Sequence, residues 1–297
     1  MDQSTASGII VSKLDAPLGA RITGFDMRRP VSRAQFEDIH AAWMAHLVLV
    51  FPGQPVSDEE HVVFSRNFGT LEVHHQDIIR SDRMPEIFRV SNVDENGELM
   101  TTANPVMRQI DQARRWHTDS SFRENPSMGS LLHGIEVTRT GGETCFIDMY
   151  AVYQALPENL RESIQDRRAR HDFELLHRHA ALRPLTPDER AAMPPVWQPM
   201  VRRHPVTGRE SLYISPIYND AIEGMADDEA AALIDELTRF ASQDRFVYRH
   251  RWQAHDLVLW DNRCTMHLVA PYDRGERRVM HRTTIAGEGA VLAAGAA

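Results

Sequence analysis

The spacing of apolar and polar positions changes period several times along the chain. Near the start, Ile9-Ile10-Val11 and Ala20-Arg21-Ile22-Thr23-Gly24 set β-branched residues among polar ones, which predicts short strands. Ser32 is placed to cap a helix in which Phe36, Ile39, His40, Trp43 and Met44 recur at helical spacing. The run Leu47-Val48-Leu49-Val50-Phe51 then reads as a buried strand. Ser57 with Glu60 three residues on forms a capping-box pattern, and Val62, Val63 and Phe64 carry that helix toward Phe68-Gly69.

From Glu86 to Val93 the pattern is strand-like, closed by an Asn-Gly turn in Asp94-Glu95-Asn96-Gly97-Glu98. Thr101 to Gln112 reads as loop. Helical spacing returns at Tyr150 to Leu156 and, after a first-turn proline at Pro157, through Leu160 and Ile164. Five prolines between Arg183 and Pro199 suggest an irregular surface excursion. The clearest amphipathic helix covers Asp227 to Ser242, with Ala231, Ile234, Leu237, Phe240 and Ala241 along one stripe. Strands follow around Phe246–Arg251, Leu257–Trp260 and Val279–Ile285, and residues 288–297 read as a loose tail. One β-rich domain spanning 1–297, buttressed by helices, is the expected architecture.

Composition narrows the function. The 297 residues are 42% hydrophobic and 25% charged, which excludes disordered, collagenous and disulfide-scaffold classes. With 33 Lys and Arg against 42 Asp and Glu, the formal charge of -9 argues against nucleic acid as a partner, so a bound anion must be gripped by a few local cations. The two cysteines, Cys145 and Cys264, fit a reducing compartment and buried structural roles. No apolar stretch reaches spanning length and Met1–Gly8 is polar, so a cytoplasmic protein without membrane contact is expected.

The sharpest chemical signal is Trp116-His117-Thr118-Asp119: on an extended strand, residues two apart share a face, which places an imidazole beside a carboxylate. A metal would need a third ligand. His267 stands out, following the buried-looking strand Leu257–Trp260 and the segment Asp261-Asn262-Arg263-Cys264-Thr265-Met266, whereas His133, His171 and His204 have nothing at ligand spacing. Two histidines and one carboxylate leave metal positions open and favour non-haem Fe(II), although zinc suits the same donors. Arg278 and Arg282 lie an even number of residues apart on one predicted strand, so both guanidiniums face one way and could hold two anionic groups beside the metal. The turn Tyr272-Asp273-Arg274-Gly275-Glu276 would fold that strand back beside His267.

These motifs, with Gly141-Gly142-Glu143-Thr144 and Trp260-Asp261-Asn262-Arg263, resemble the Fe(II)/2-oxoglutarate-dependent dioxygenases of the taurine dioxygenase and 2,4-dichlorophenoxyacetate dioxygenase superfamily, over nearly the whole chain. The resemblance implies a mostly β fold with flanking helices, a double-stranded β-helix or jelly roll. It implies that His117, Asp119 and His267 are the Fe(II) ligands, that Thr144 and Arg278 hold the distal carboxylate of 2-oxoglutarate, and that Arg282 faces the anionic head of the substrate. It further implies that O2 is consumed, that 2-oxoglutarate becomes succinate and CO2, and that a substrate carbon beside a heteroatom is hydroxylated.

Several stretches, among them Asp119-Ser120-Ser121-Phe122, Ala192-Met193-Pro194-Pro195-Val196 and Phe246–Trp252, are more similar to the 2,4-dichlorophenoxyacetate branch, implying an aryloxyacetate cleaved to a phenol and glyoxylate. His74 stands where the taurine type carries a sulfonate-binding histidine, which keeps taurine, an alkylsulfonate or an alkyl sulfate as the alternative. Tyr218 corresponds to a pocket-wall position of the taurine type, and Ala113 replaces an asparagine that touches substrate in both relatives, favouring a ligand without an amine. A zinc hydrolase leaves Thr144 and the two arginines without a shared task, and a non-catalytic jelly-roll binding module needs no open metal site. The expected partners are a small anionic organic substrate and further copies of the chain.

Overall fold

The computed structural model describes residues 3–4, 7–73, 81 and 83–295. In chain order its strands are β1 (Gln3–Ser4), β2 (Ile10–Lys13), β3 (Ala20–Thr23), β4 (Val48–Phe51), β5 (Phe88–Ser91), β6 (Gly129–Glu136), β7 (Thr144–Asp148), β8 (Arg168–His171), β9 (Val196–Pro199), β10 (Val201–Arg203), β11 (Glu210–Leu212), β12 (Asn219–Ile222), β13 (Val247–His250), β14 (Leu257–Asp261), β15 (Thr265–Val269) and β16 (Val279–Ile285). Its helices are α1 (Arg33–His46), α2 (Asp58–Ser65), α3 (Pro105–Ile110), α4 (Met149–Ala155), α5 (Glu158–Ile164), α6 (Glu174–His179), α7 (Pro187–Ala192) and α8 (Asp227–Ala241). Among the described residues no helix is long and apolar enough to cross a membrane.

Local chemistry sets the helix starts. Ser32 and Ser57 each accept from the backbone N–H three residues on, and Gln35 and Glu60 reach back to the cap, so orphan amides are satisfied in both directions. Two helices arise where loop was expected. Within Thr101–Gln112, Asn104 caps α3 with Pro105 in its first turn, and within the proline-rich 183–199 stretch Thr186 and Glu189 form a capping box around Pro187 to start α7. Prolines there open helices or end strands and do not exclude them. In α8 the buried stripe is Ala230, Leu233, Ile234, Leu237 and Ala241, so Ala231 lies outside it.

An eight-stranded sheet, ordered β1-β2-β3-β4-β14-β6-β16-β5, faces a three-stranded sheet ordered β13-β7-β15. Pairing is antiparallel throughout except between β3 and β4. The chain alternates between the sheets: β6 in the large, β7 in the small, then β13 small, β14 large, β15 small and β16 large. Alternation of side chains along each strand sorts residues into layers. Leu132, Val258, Trp260 and Met280 from the large sheet meet Phe146 from the small one in a shared interior. Leu131, Leu257, Leu259 and Ile285 point out of the large sheet onto Ile39 and Trp43 of α1 and Val62 and Phe64 of α2. Ile147, Val247 and Met266 point out of the small sheet onto α4, α5 and α8.

Sheet β12-β8-β9 and hairpin β10-β11 lie in the connection between α5 and β13. The stretch read as a loose tail is held at its middle: Leu292 O accepts from Arg203 N at 2.8 Å and Ala294 N donates to Val201 O at 3.0 Å, extending β10 at its edge.

Gly129 leaves room for Trp43 of α1 to lie against the sheet. A Cβ there would lie 2.6 Å from Trp43 Cζ2 and 2.8 Å from the Trp260 carbonyl oxygen, and the second neighbour is backbone. Gly129→Ala should therefore destabilise the fold by about 1–3 kcal/mol, as overpacking of a dense core does. The readout is a lower urea midpoint at unchanged slope. An unchanged midpoint would show that Trp43 and β14 can give way.

Candidate active site

The segment that carries the first two ligands is pinned to β15. His117 N donates to His267 O at 3.0 Å and His267 N donates to His117 O at 2.8 Å, an isolated antiparallel bridge that adds one residue to the small sheet beside β15. Thr118 turns away, its hydroxyl donating to Thr265 O at 3.1 Å and its N–H to Ser215 Oγ at 3.0 Å. Asp119 lies in a turn that continues through Ser120 at φ 53°. The expected regular strand thus shrinks to a single bridge, but the extended step across Thr118 still brings both side chains inward. His267 reaches the same space because β15 alternates, with Met266 outward.

His117, Asp119 and His267 offer ligand atoms that all lie within 4.8 Å of one another, and all three are buried. His117 Nδ1 lies 2.8 Å from the Arg115 carbonyl oxygen, to which it must donate, so Nε2 keeps its lone pair and faces Asp119 Oδ1 at 4.0 Å. His267 Nε2 lies 3.8 Å from Asp119 Oδ2. Burial lowers the pKa of both imidazoles, against the pull of Asp119, and keeps them neutral. Burial would raise the Asp119 carboxyl, but the Arg282 guanidinium and the Ser130 hydroxyl beside it hold it well below the usual carboxylate range. Two neutral imidazoles and one carboxylate fit a divalent metal such as Fe(II) with open positions.

β16 delivers Arg282, and Arg278 stands one residue before the strand begins. Met280, Arg282 and Thr284 face the interior while His281 and Thr283 face α2, where His281 Nδ1 meets Asp58 Oδ1 at 2.6 Å and Thr283 Oγ1 lies 2.7 Å from Ser65 Oγ. The strand belongs to the large sheet, so it reaches His267 across the interior and not as its neighbour. Arg282 NH1 donates to Asp119 Oδ1 at 2.8 Å, its guanidinium lies 4.5 Å from the Phe88 ring centroid, and its Nε is buried without a partner among the described residues.

Arg278 is 2% exposed and has no carboxylate partner among the described residues; its NH2 donates only to Gly142 O at 3.3 Å. Burial brings its pKa down to about 10, against the pull of Tyr272. Gly142, at φ +71°, makes this seat possible, since a Cβ there would stand 2.7 Å from Thr138 Oγ1 and 3.3 Å from Arg278 Nε. Two residues on, Thr144 faces the cavity with Oγ1 accepting from Trp252 Nε1 at 3.0 Å, which leaves its proton to donate. A buried guanidinium without a counter-ion and a hydroxyl with a spare proton fit an incoming carboxylate such as that of 2-oxoglutarate.

The cavity beyond the triad has a volume of about 120 Å³ and is walled by Phe88, Phe122, Phe173, Leu176, Ile217 and Tyr218, with Ala113 also on its surface. Tyr218 packs 5.0 Å from Phe122 between ring centroids, and burial raises its phenol pKa. At the rim, Glu72 accepts from Ser120 and meets Arg123 NH1 at 3.5 Å, burial raising its carboxyl against both partners. Gln109, Phe122 and Arg123 also border a wider outer cleft of about 1720 Å³. His74 lies outside the described residues.

Sequence reasoning passed over Ser130, which donates to Asp119 Oδ2 at 2.8 Å, and Trp252; a serine at an inward strand position and a lone tryptophan carry little signal of their own. It also set His204 aside, yet His204, Asp261 and Cys264 converge within 4.8 Å. Asp261 there accepts from Arg263 at 2.8 and 2.7 Å and lies 3.1 Å from His204 Nε2, a neutralised interior ion network. Both cysteines are free and buried.

The family model described as "Taurine catabolism dioxygenase TauD, TfdA family" matches residues 11–284. The chain is 35% identical over 284 residues to the alpha-ketoglutarate-dependent 2,4-dichlorophenoxyacetate dioxygenase of Cupriavidus pinatubonensis, covering 93% of this chain and 97% of that one. It is 33% identical over 291 residues to the (S)-phenoxypropionate/alpha-ketoglutarate-dioxygenase of Sphingobium herbicidovorans, covering 94% and 95%. The crystal structure of AAD-2 with Mn(II) and N-oxalylglycine superposes with a TM-score of 0.87 at 34% identity, over 96% of this chain and 98% of that one. With the family matched from β2 nearly to the end of β16, and two histidines and a carboxylate gathered within 4.8 Å of one another in its interior, this chain belongs to the TauD, TfdA dioxygenase family.

Proposed function

We propose that this chain hydroxylates an aryloxyalkanoate, such as an aryloxyacetate, at the carbon beside its ether oxygen. As a family member it is a 2-oxoglutarate-dependent non-haem iron dioxygenase that uses Fe(II), 2-oxoglutarate and O2. The observation that carries the substrate reading is the placement of one inward arginine, Arg282, between the metal carboxylate and a wall of aromatic and aliphatic side chains. An anionic head on a flat apolar body matches that pairing, and the relatives named above act on such compounds. The strand order, alternating between two facing sheets, supports a double-stranded β-helix as the frame. The free thiols of Cys145 and Cys264 support a cytoplasmic setting.

His117, Asp119 and His267 would hold Fe(II), which when bound supplies the redox chemistry that couples decarboxylation of 2-oxoglutarate to oxygen insertion into a substrate C–H bond. Arg278 and Thr144 bind the distal carboxylate of 2-oxoglutarate, the first by charge and the second by its free hydroxyl proton. Arg282 orients the substrate by its carboxylate, using the Nε that now lacks a partner. The aromatic wall, with Tyr218 in it, holds the aryl group and excludes water. His74, which follows Glu72 in the sequence, would recognise the head group in the alternative reading, a sulfonate or sulfate ester. The hydroxylated product is a hemiacetal, and loss of its aryloxy group with a proton gives a phenol and, from an aryloxyacetate, glyoxylate.

Three outcomes follow. Iron-loaded protein should release succinate only with 2-oxoglutarate and O2 present, and phenoxyacetate should stimulate it more than taurine or an alkyl sulfate; stimulation by taurine alone would overturn the substrate reading. Arg278→Ala should raise the 2-oxoglutarate concentration needed for half-maximal rate roughly 10- to 100-fold, the range for a lost charged hydrogen bond. An unchanged requirement would assign that carboxylate to another residue. His74→Ala should weaken a sulfonate substrate more than a carboxylate one, and equal effects would remove His74 from recognition.

A further inference from the structure

We propose that Ser130, oriented by Asn262, is a positioning residue that aims the Asp119 carboxylate at the metal; the inference rests on the metal-site reading above. Ser130 is fully buried on β6, opposite Trp260 of β14 and Thr284 of β16, and its hydroxyl lies 2.8 Å from Asp119 Oδ2. Its direction is fixed by elimination. Trp260 Nε1 can only donate, and it donates to Asn262 Oδ1 at 2.9 Å, so the amide of Asn262 cannot be turned over. The Asn262 NH2 group therefore points at Ser130 Oγ and Ser127 Oγ, each at 3.1 Å. Each serine oxygen, having accepted there, has its proton free for Asp119: Ser130 donates to Oδ2, and Ser127 donates to the Asp119 carbonyl oxygen at 3.2 Å. Every hydrogen bond in the chain runs toward Asp119, and none of Trp260, Asn262, Ser127 and Ser130 is more than 1% exposed.

The consequence lies in what remains when substrate arrives. Asp119 Oδ1 accepts from Arg282, the residue assigned to the substrate anion, so that support competes with substrate. The Ser130 bond to Oδ2 has no such second task. It holds the side-chain rotamer of Asp119 and occupies one lone pair of Oδ2, which favours a metal bond through a single oxygen.

The test is anaerobic titration of Mn(II) into the wild type, Ser130→Ala and Ser130→Thr, with and without phenoxyacetate, alongside melting of the metal-free proteins. Partners of metal ligands typically contribute about 10–100-fold in affinity, and Ser130→Ala should weaken Mn(II) by ten-fold or more, with a larger loss in the presence of phenoxyacetate. Threonine, which keeps the hydroxyl, should restore affinity, and the metal-free melting temperature of the alanine variant, with one Asn262 N–H and Asp119 Oδ2 left unpaired, should fall by only a few degrees. A purely structural serine would lower the metal-free melting temperature and leave Mn(II) affinity alone, and Mn(II) affinity within twofold of wild type would overturn the proposal. Should Ser130→Ala not fold, Trp260→Phe, which removes the donor that orients Asn262, must weaken Mn(II) in the same direction or the proposal fails. If the wild type binds no Mn(II), it is the metal-site reading that fails.

Discussion

Side chains on a strand change face at every residue, and this constraint organises the whole molecule. On β6, β14, β15 and β16 the apolar outward residues anchor helices while the inward residues of the same strands carry the chemistry. Leu131 packs outward next to Ser130 inward; Leu259 and Trp260, and Met266 and His267, divide in the same way. A shift of one residue in any of these registers would exchange core for ligand, so packing on the outside enforces geometry on the inside.

Charge is the second constraint. The interior holds the carboxylate of Asp119 and the guanidinium of Arg278 in surroundings that penalise both. Asp119 is matched by Arg282 and by neutral donors. Arg278 is left without an anion among the described residues, which is a cost to the empty fold and a source of affinity once a carboxylate enters. Asp261, by contrast, is neutralised by Arg263 and accepts a hydrogen bond from His204, whose Nδ1 is taken up by two backbone N–H groups. The two buried acid sites differ less in composition than in whether their partners are already satisfied.

Much of the site was legible because its elements are local. His117 and Asp119 are two residues apart, Arg278 and Arg282 four, and the serine caps of α1 and α2 announce themselves with a glutamine or glutamate three residues on. What escaped reading depends on contacts between distant segments. β8 and β12 are short and of mixed polarity, and they exist through each other. α3 and α7 are six residues each, too short for periodicity to emerge, although Asn104-Pro105 and Thr186-Pro187 mark their starts. Ser130 acquires a role only when Asn262 and Asp119, remote in sequence, meet it in the interior.

The described part of the chain before Glu72 contributes no side chain to the inner cavity, yet α2 grips the outer face of the strand that carries Arg282, through Asp58 with His281 and Ser65 with Thr283. Catalysis and scaffolding are thus divided by depth and not by position along the chain. A fragment trimmed to the ligands would retain the reacting groups and lose the clamp behind the strand that aims Arg282, so activity depends on a helix that never meets the substrate cavity.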